Sequence, residues 1–150
     1  MPTIFIDDLR LSLHETESLL QKCVDSNDMG PDEIPSFVLR NASNILAPLV
    51  VELFTHIIND RTWPDAWKVS HVTPLHKTGP KSSVENYRPI SILCKLSLIL
   101  ERIIFNFLYP IVAKRIHRQQ HGFMKARSTV TQMITYLDLV YRDMDSNIPY

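Results

Sequence analysis

Hydrophobic residues recur with the period of an α-helix in three long stretches of the chain. The first stretch has one apolar stripe, made of Ile45, Leu46, Leu49, Val50, Leu53, Phe54, Ile57 and Ile58. Similar stripes run through residues 96–112 and 130–141. Because apolar positions three and four residues apart fall on one face of a helix, each stretch predicts an amphipathic helix. Pro48 is expected in the first turn of the first one, where its missing N–H matters least, and Ser128 is expected to cap the last one.

Two shorter helices are predicted before the first long one. Ser12 precedes Glu15 by three residues, which resembles a capping box, so a helix is expected over residues 13–24. Pro35 fits the beginning of a second helix over residues 34–40. Residues 26–35 contain Asn, Asp, Gly and two prolines and predict a loop between the two helices. This loop suggests a division into an N-terminal extension, residues 1–29, and a main domain, residues 30–150.

The period changes after Trp63 and Trp67, two residues that are expected to pack in the core or under a lid. Residues 69–76 alternate in the manner of a β-strand, and Pro74 restricts this strand to an edge or an end. Residues 78–86 predict a loop around Gly79 and Pro80. Residues 88–93 are then a second strand, and the two form a β-hairpin with a long basic tip. The predicted fold class is α+β and mostly helical.

Charge is distributed unevenly along this chain of zero formal net charge. Residues 1–67 hold eleven acidic and four basic side chains, which sum to −7. Residues 68–127 hold two acidic and eleven basic side chains, which sum to +9, and residues 128–150 sum to −2. A polarised middle segment of this kind is typical of a basic surface that meets phosphate groups. An alternative is that the acidic first part folds onto the basic middle and neutralises it.

Three bases surround the predicted hairpin loop: Lys77, Lys81 and Arg88. Lysine acts as a compact point charge and arginine as a bidentate fork, a combination suited to a triphosphate or a nucleic-acid backbone. A solvated surface loop would explain the same residues. A further basic run follows, with Lys114, Arg115, Arg118, Lys125 and Arg127. The dipole at a helix C-terminus accounts for the first two of these but not for the whole run.

Several kinds of chemistry find no support in the sequence. Cys23 and Cys94 lie far apart without a second Cys or His at ligand spacing, so a reducing, intracellular compartment, nucleus or cytoplasm, is the simplest assumption. His117 and His121 have a metal-like spacing but no third ligand nearby, so no metal site is expected. No long uninterrupted apolar run, signal peptide, nucleophile elbow, Walker loop or H-E-x-x-H motif occurs.

Five short segments follow one another in a defined order along the chain. They are G-P-D-E-I-P at 30–35, W-P-D-A-W-K at 63–68, P-L-H-K at 74–77, N-Y-R-P-I-S at 86–91 and Q-H-G-F at 120–123, the last followed by R-S-T at 127–129. In this order and at this spacing, the set resembles the N-terminal part of the reverse transcriptases of non-LTR (LINE-like) retrotransposons. The resemblance covers roughly residues 30–141, and N-Y-R-P-I-S after P-x-x-K is its most specific part.

The resemblance implies the fingers and a partial palm of a right-handed polymerase that copies RNA into DNA. In that family, basic residues of a fingers hairpin hold the triphosphate of the incoming nucleotide. This role carries over to Lys77 and Arg88, and less directly to Lys81. The region around Q-x-G-F shapes the template and nucleotide pocket, which carries over to Gln120, Gly122, Phe123, Lys125 and Arg127. Two positions depart from the family pattern, with Glu33 where glycine is usual and Met124 where arginine is common.

The family's catalytic centre places Mg²⁺ between an aspartate on a palm strand and a pair of aspartates in a Y-x-D-D hairpin. The sequence contains no Y-x-D-D and stops where the strand with the first aspartate is expected. We therefore expect a fragment, truncated before the catalytic strand, that binds no metal and is inactive alone.

Nucleotide and template binding are the functions expected of this fragment. An RNA template, a DNA primer, dNTP and Mg²⁺ are the ligands of the full-length family, and no membrane partner is expected. The alternative is a non-catalytic helical module that binds nucleic acid or protein. The oligomeric state is left open.

Overall fold

The computed structural model describes residues 9–27 and 29–145. Within these ranges lie five α-helices and one two-stranded sheet, in the order α1 (Leu13–Gln21), α2 (Ser36–Asn41), α3 (Ser43–Asp60), β1 (His71–His76), β2 (Tyr87–Ile92), α4 (Lys95–Ala113) and α5 (Thr129–Asp145). Short 3₁₀ turns occupy Asp65–Lys68 and Val84–Asn86. The predicted combination of many helices with a small sheet is confirmed. The chain divides into two compact units, Met1–Phe107 and Leu108–Tyr150.

The core of the first unit is built on α3, against which α1 and α2 pack. Its buried apolar residues are Leu20, Leu39, Ala47, Val50, Phe54, Ile57, Trp67, Cys94, Ile99, Leu100 and Ile103. Phe54 is 0% exposed, and its ring meets the edge of Trp67 with 6.1 Å between ring centroids. Trp67 in turn packs against Trp63 at 5.6 Å. Of the two tryptophans expected in the core or under a lid, Trp67 is buried in the core and Trp63 is half-buried and packs against it.

α1 begins with the predicted cap. The hydroxyl of Ser12 accepts a hydrogen bond from the N–H of Glu15 at 3.3 Å, and the Glu15 carboxylate accepts one from Asn106 Nδ2 at 3.1 Å. The helix contributes Leu20 to the core of the first unit. The proposed boundary between residues 29 and 30 stays a prediction.

α3 begins earlier than its apolar stripe predicts. Ser43 is its first residue, so Pro48 is the sixth residue and lies in the second turn. The prediction of a first-turn proline was therefore wrong. The physical reason is the carbonyl of Ala42, which already accepts hydrogen bonds from the N–H groups of Ile45 at 3.0 Å and Leu46 at 2.9 Å.

The turn before α2 holds Glu33 in the left-handed backbone region, with a φ of 56°. Its N–H donates to the carbonyl of Gly30 at 3.0 Å, and the Asp32 carboxylate accepts from the N–H of Ile34 at 3.4 Å. Side chains with a Cβ are strained in this region, whereas glycine is not. The left-handed conformation favours glycine at this position, which agrees with the glycine that the resemblance implies there.

Glu33→Gly is expected to be more stable than Glu33→Ala by about 1 kcal/mol, because only glycine relieves the strain of the left-handed backbone. Alanine is the matched control, since it removes the same carboxylate but keeps the Cβ. Urea denaturation of the two variants measures the difference. Equal stabilities would contradict strain at this position.

In the described part of the chain, α4 is the one helix that is long and apolar enough to cross a membrane, judged by length and composition alone. The core helix of a water-soluble protein passes the same test. α4 buries Ser97, Ile99, Leu100 and Ile103 within the protein. The absence of a membrane partner stays a prediction.

The second unit contains the end of α4, a connector over residues 114–128, and α5. α5 starts with a reciprocal cap. The N–H of Thr131 donates to Ser128 Oγ at 3.2 Å, and the N–H of Ser128 donates to Thr131 Oγ1 at 2.9 Å. Ser128 is thus confirmed as the cap of the last helix. No residue of α5 in the described range is buried.

Candidate nucleic-acid interface

β1 and β2 form the predicted antiparallel hairpin, paired from His71 with Ile92 to His76 with Tyr87. Pro74 lies opposite Pro89 in this register. Because the N–H of Lys77 donates to the Asn86 carbonyl at 2.7 Å, the alternation of an antiparallel ladder makes the proline pair a non-hydrogen-bonded pair. Neither proline therefore removes a hydrogen bond between the two strands.

The register puts two of the predicted phosphate ligands on one face of the hairpin. Arg88 is paired with Leu75, and directly paired residues project to the same face. Lys77 lies two residues beyond Leu75, so strand alternation returns it to that face. Such diagonal neighbours are roughly 7–8 Å apart across a ladder. The side chains of Lys77 and Arg88 are both exposed, so two cations face solvent on the same side of the hairpin.

The loop at the tip of the hairpin is held by side chains that hydrogen-bond to its backbone carbonyls. The pairs are His76 Nε2 with Gly79 O at 3.0 Å, Asn86 Nδ2 with Pro80 O at 2.8 Å, and Tyr87 Oη with Lys81 O at 3.0 Å. The Tyr87 ring also packs against the edge of His76, with 5.3 Å between centroids. The backbone of Lys81 is therefore held in place. Sequence reasoning missed these supporting residues, although Asn86 and Tyr87 open the N-Y-R-P-I-S segment.

Lys77, Lys81 and Arg88 form no ion pair with any residue that the structure describes. Lys68, at the start of the basic segment, pairs locally with Asp65 at 2.7 Å, and this hydrogen bond holds the pKa of the Asp65 carboxyl below its ordinary value. The alternative in which the protein's own carboxylates neutralise the hairpin loop therefore finds no support among the described residues. All three loop cations are exposed.

The other predicted site residues lie in the connector of the second unit. The Arg127 guanidinium donates from Nη1 to the carbonyls of Arg118 and Gln120. Gln120 Nε2 donates to the carbonyl of Gly122 at 3.1 Å. These contacts give Arg127 and Gln120 a structural role, because they hold the path of the connector.

Two connector residues present groups that a nucleic acid can use. Phe123 is fully exposed, at a backbone φ of 61°, and offers a ring face for base stacking. Lys125 Nζ lies 4.6 Å from the centroid of the Tyr109 ring, and the Lys125 N–H donates to the Tyr109 hydroxyl at 2.8 Å. Tyr109 is a supporting residue that the sequence reasoning missed. Lys77, Lys81 and Arg88 belong to the first unit, and Phe123 and Lys125 to the second.

The two thiols are poor candidates for a nucleophile. Burial raises the pKa of the Cys94 thiol, and the nearby Asp32 carboxylate raises it further. Burial also raises the pKa of Cys23. Because the thiolate is the reactive form, both shifts reduce reactivity near neutral pH.

Among the described residues, no group of three or more His, Cys, Asp and Glu side chains could hold a metal ion. A two-metal polymerase centre needs convergent carboxylates. The described residues therefore do not fit a two-metal Mg²⁺ site.

Three relatives from Drosophila melanogaster match the chain. The chain is 27% identical over 139 residues to "RNA-directed DNA polymerase from mobile element jockey". The aligned region covers 91% of the chain and 15% of the relative. It is 38% identical over 84 residues to "Probable RNA-directed DNA polymerase from transposon BS", covering 54% of the chain and 9% of the relative. It is 27% identical over 126 residues to "Probable RNA-directed DNA polymerase from transposon X-element". This alignment covers 81% of the chain and 14% of the relative. No family model matches the chain.

The class of protein defined by these relatives is the RNA-directed DNA polymerases of mobile elements. The resemblance carried by the five sequence segments is confirmed, and the chain is related to the reverse transcriptases of LINE-like retrotransposons. The chain spans 9–15% of the length of these relatives.

Proposed function

We propose that the chain forms the fingers and the beginning of the palm of a LINE-like reverse transcriptase, where it binds the incoming nucleotide and the template. The observation that carries this proposal is the hairpin, on which Lys77 and Arg88 share one exposed face without an ion pair to any described residue. The names of the relatives support the reaction class. This role implies a protein that acts inside the cell, in the nucleus or the cytoplasm.

The hairpin has three means of binding a triphosphate. Arg88 offers a planar fork for two phosphate oxygens, and Lys77 offers a mobile point charge on the same face. Lys81 adds a third cation from a loop whose backbone is held by Asn86 and Tyr87. Because these hydrogen bonds already order the loop, less conformational entropy is lost on binding.

Template binding is assigned to the connector around Gln120, Gly122 and Phe123. The exposed Phe123 ring would stack on a base, and Lys125 and Arg127 add positive charge beside it. Gln120 and Arg127 act by keeping the connector in shape. The RNA template and DNA primer are the proposed partners.

Nucleotide transfer itself requires Mg²⁺ held by carboxylates, which stabilises the attacking and leaving oxygens. The described residues offer no such set, so we propose that this chain binds and orients nucleotides but does not join them by itself. Extension of a DNA primer by the purified chain, above the level of a mock preparation, would overturn this part of the proposal.

The double variant Lys77→Ala/Arg88→Ala is expected to bind single-stranded RNA or a dNTP about 10–100-fold more weakly, because two charge-assisted phosphate contacts are lost. The dependence of log K on log salt should also become shallower, by about 0.7 for each lost contact to a single strand. Fluorescence anisotropy with a labelled oligonucleotide at several salt concentrations measures both quantities.

The matched control is Lys22→Ala/Arg40→Ala, which removes the same charge from two exposed bases outside the basic segment. Its affinity should change far less than that of the hairpin variant. An equal loss in both variants, or an unchanged affinity in the hairpin variant, would contradict a specific role of the hairpin. A circular dichroism spectrum of each variant checks that it is folded.

A further inference from the structure

The second unit contains a pocket that the predicted site residues do not explain. Its volume is about 200 Å³, and its walls are formed by Gln119, His121, Gln132, Thr135, Tyr136 and Leu139. Four of these residues lie on α5 with the spacing i, i+3, i+4 and i+7, which is one face of a helix. At 100° per residue this face points away from the apolar stripe through Met133, Leu137 and Tyr141. The pocket thus lies on the side of α5 that faces away from this stripe.

His121 is fixed in the wall of this pocket and is 9% exposed. Its Nδ1 lies 2.9 Å from Thr131 Oγ1. The Thr131 hydroxyl donates its own proton to the Ser128 carbonyl and accepts from the Ser128 N–H, both at 2.9 Å. A hydroxyl has one proton and two lone pairs, so with its proton on the Ser128 carbonyl the Thr131 hydroxyl has a lone pair left that can accept a hydrogen bond from the Nδ1–H of His121. In the tautomer that makes this hydrogen bond, the other ring nitrogen, Nε2, is an acceptor, and no described residue hydrogen-bonds to it.

The pocket's chemistry matches the edge and the face of a nucleobase. The amides of Gln119 and Gln132 each provide donors and an acceptor, as base edges require, and His121 Nε2 provides a further acceptor. Tyr136, which is 61% exposed, offers a ring on which a base can stack. None of the six lining residues is Lys, Arg, Asp or Glu, so no charged side chain in the walls attracts a phosphate group. A volume of about 200 Å³ suits one ring system, because pockets for drug-sized ligands are larger.

We propose that this pocket binds one unstacked base of a single-stranded nucleic acid, with the base against Tyr136 and its edge on Gln119, Gln132 and His121. The inference rests on the proposed nucleic-acid function, but it concerns different residues and a different part of the ligand. The hairpin cations contact phosphates, whereas this pocket contacts a base.

Titration of the full chain with the four ribonucleosides tests the pocket separately, because a nucleoside carries no phosphate for Lys77 and Arg88. We expect saturable NMR shifts of backbone amides in residues 117–121 and 131–139 with at least one nucleoside. Absence of saturable shifts there would overturn the base pocket, even if oligonucleotides still bind through the hairpin. Failure of the hairpin experiment, with nucleoside binding intact, would overturn the proposed function instead.

Tyr136→Ala is expected to weaken nucleoside binding about tenfold, since stacking supplies a large share of base affinity. The control is Tyr141→Ala, which removes a tyrosine from the opposite face of the same helix, where it is 63% exposed against 61% for Tyr136. Its affinity should equal that of the unmodified chain. An equal loss in both variants, or no loss in Tyr136→Ala, would overturn the stacking role and with it the proposed pocket.

Discussion

Phe54→Ala is expected to lower the free energy of unfolding by about 4 kcal/mol, more than any other single substitution named for this chain. Phe54 is 0% exposed and is the largest completely buried side chain within residues 9–27 and 29–145. Its removal takes away the burial of an aromatic ring and leaves a cavity. It also removes the edge-to-face partner of Trp67.

The measurement for Phe54→Ala is urea denaturation followed by tryptophan fluorescence. Both tryptophans of the chain, Trp63 and Trp67, lie in the first unit and report its unfolding directly. Phe123→Ala is the matched control, because it deletes the same group from a fully exposed position. It should change the stability by less than about 0.5 kcal/mol. Similar losses in the two variants would contradict the central place of Phe54 in the core.

Gly30→Ala is expected to cost about 3 kcal/mol, because the added methyl group has no space. A Cβ at this position would lie 2.8 Å from Cys94 Cα and 2.8 Å from the Leu93 carbonyl oxygen. Both are backbone atoms, so no side chain can rotate away to relieve the overlap. The segment before α2 or the start of α4 would have to move.

Gly122→Ala is the control for Gly30→Ala. Its added Cβ would meet only the flexible end of Gln120, at 3.4 Å from Nε2. Its stability should remain within about 0.5 kcal/mol of the unmodified chain, or increase slightly because alanine restricts the unfolded chain. The comparison uses the same urea denaturation. If Gly30→Ala were as stable as Gly122→Ala, the close approach of Gly30 to the start of α4 would be contradicted.

The elements that the sequence predicted well depend on near neighbours. The caps of α1 and α5 follow from a hydroxyl at the position before the helix, and the hairpin follows from alternation on both sides of Gly79. The beginning of α3 was mispredicted because the apolar stripe locates the buried face of a helix rather than its first hydrogen bond. The first hydrogen bonds of α3 are accepted by the Ala42 carbonyl, and they set where the helix begins.

The supporting contacts of the candidate site could not be predicted in this way. The Tyr87 hydroxyl reaches the Lys81 carbonyl across six residues, His121 reaches Thr131 across ten, and the Lys125 N–H reaches Tyr109 across sixteen. Each contact depends on the path of an intervening loop. A residue pattern records that a polar side chain is present, but not which carbonyl or hydroxyl it reaches.

The sequence by itself determined the helical and strand periods, the accumulation of positive charge in residues 68–127, and the ordered segments that identify a relative of LINE-like reverse transcriptases. These properties are local or additive along the chain. Only the tertiary structure decided that Gly30 lies against Cys94, that Lys77 and Arg88 share a face without an ion pair to a described residue, and that His121 lines a pocket with one side of α5. Such features arise when distant segments meet, and their geometry is set by packing and strand register.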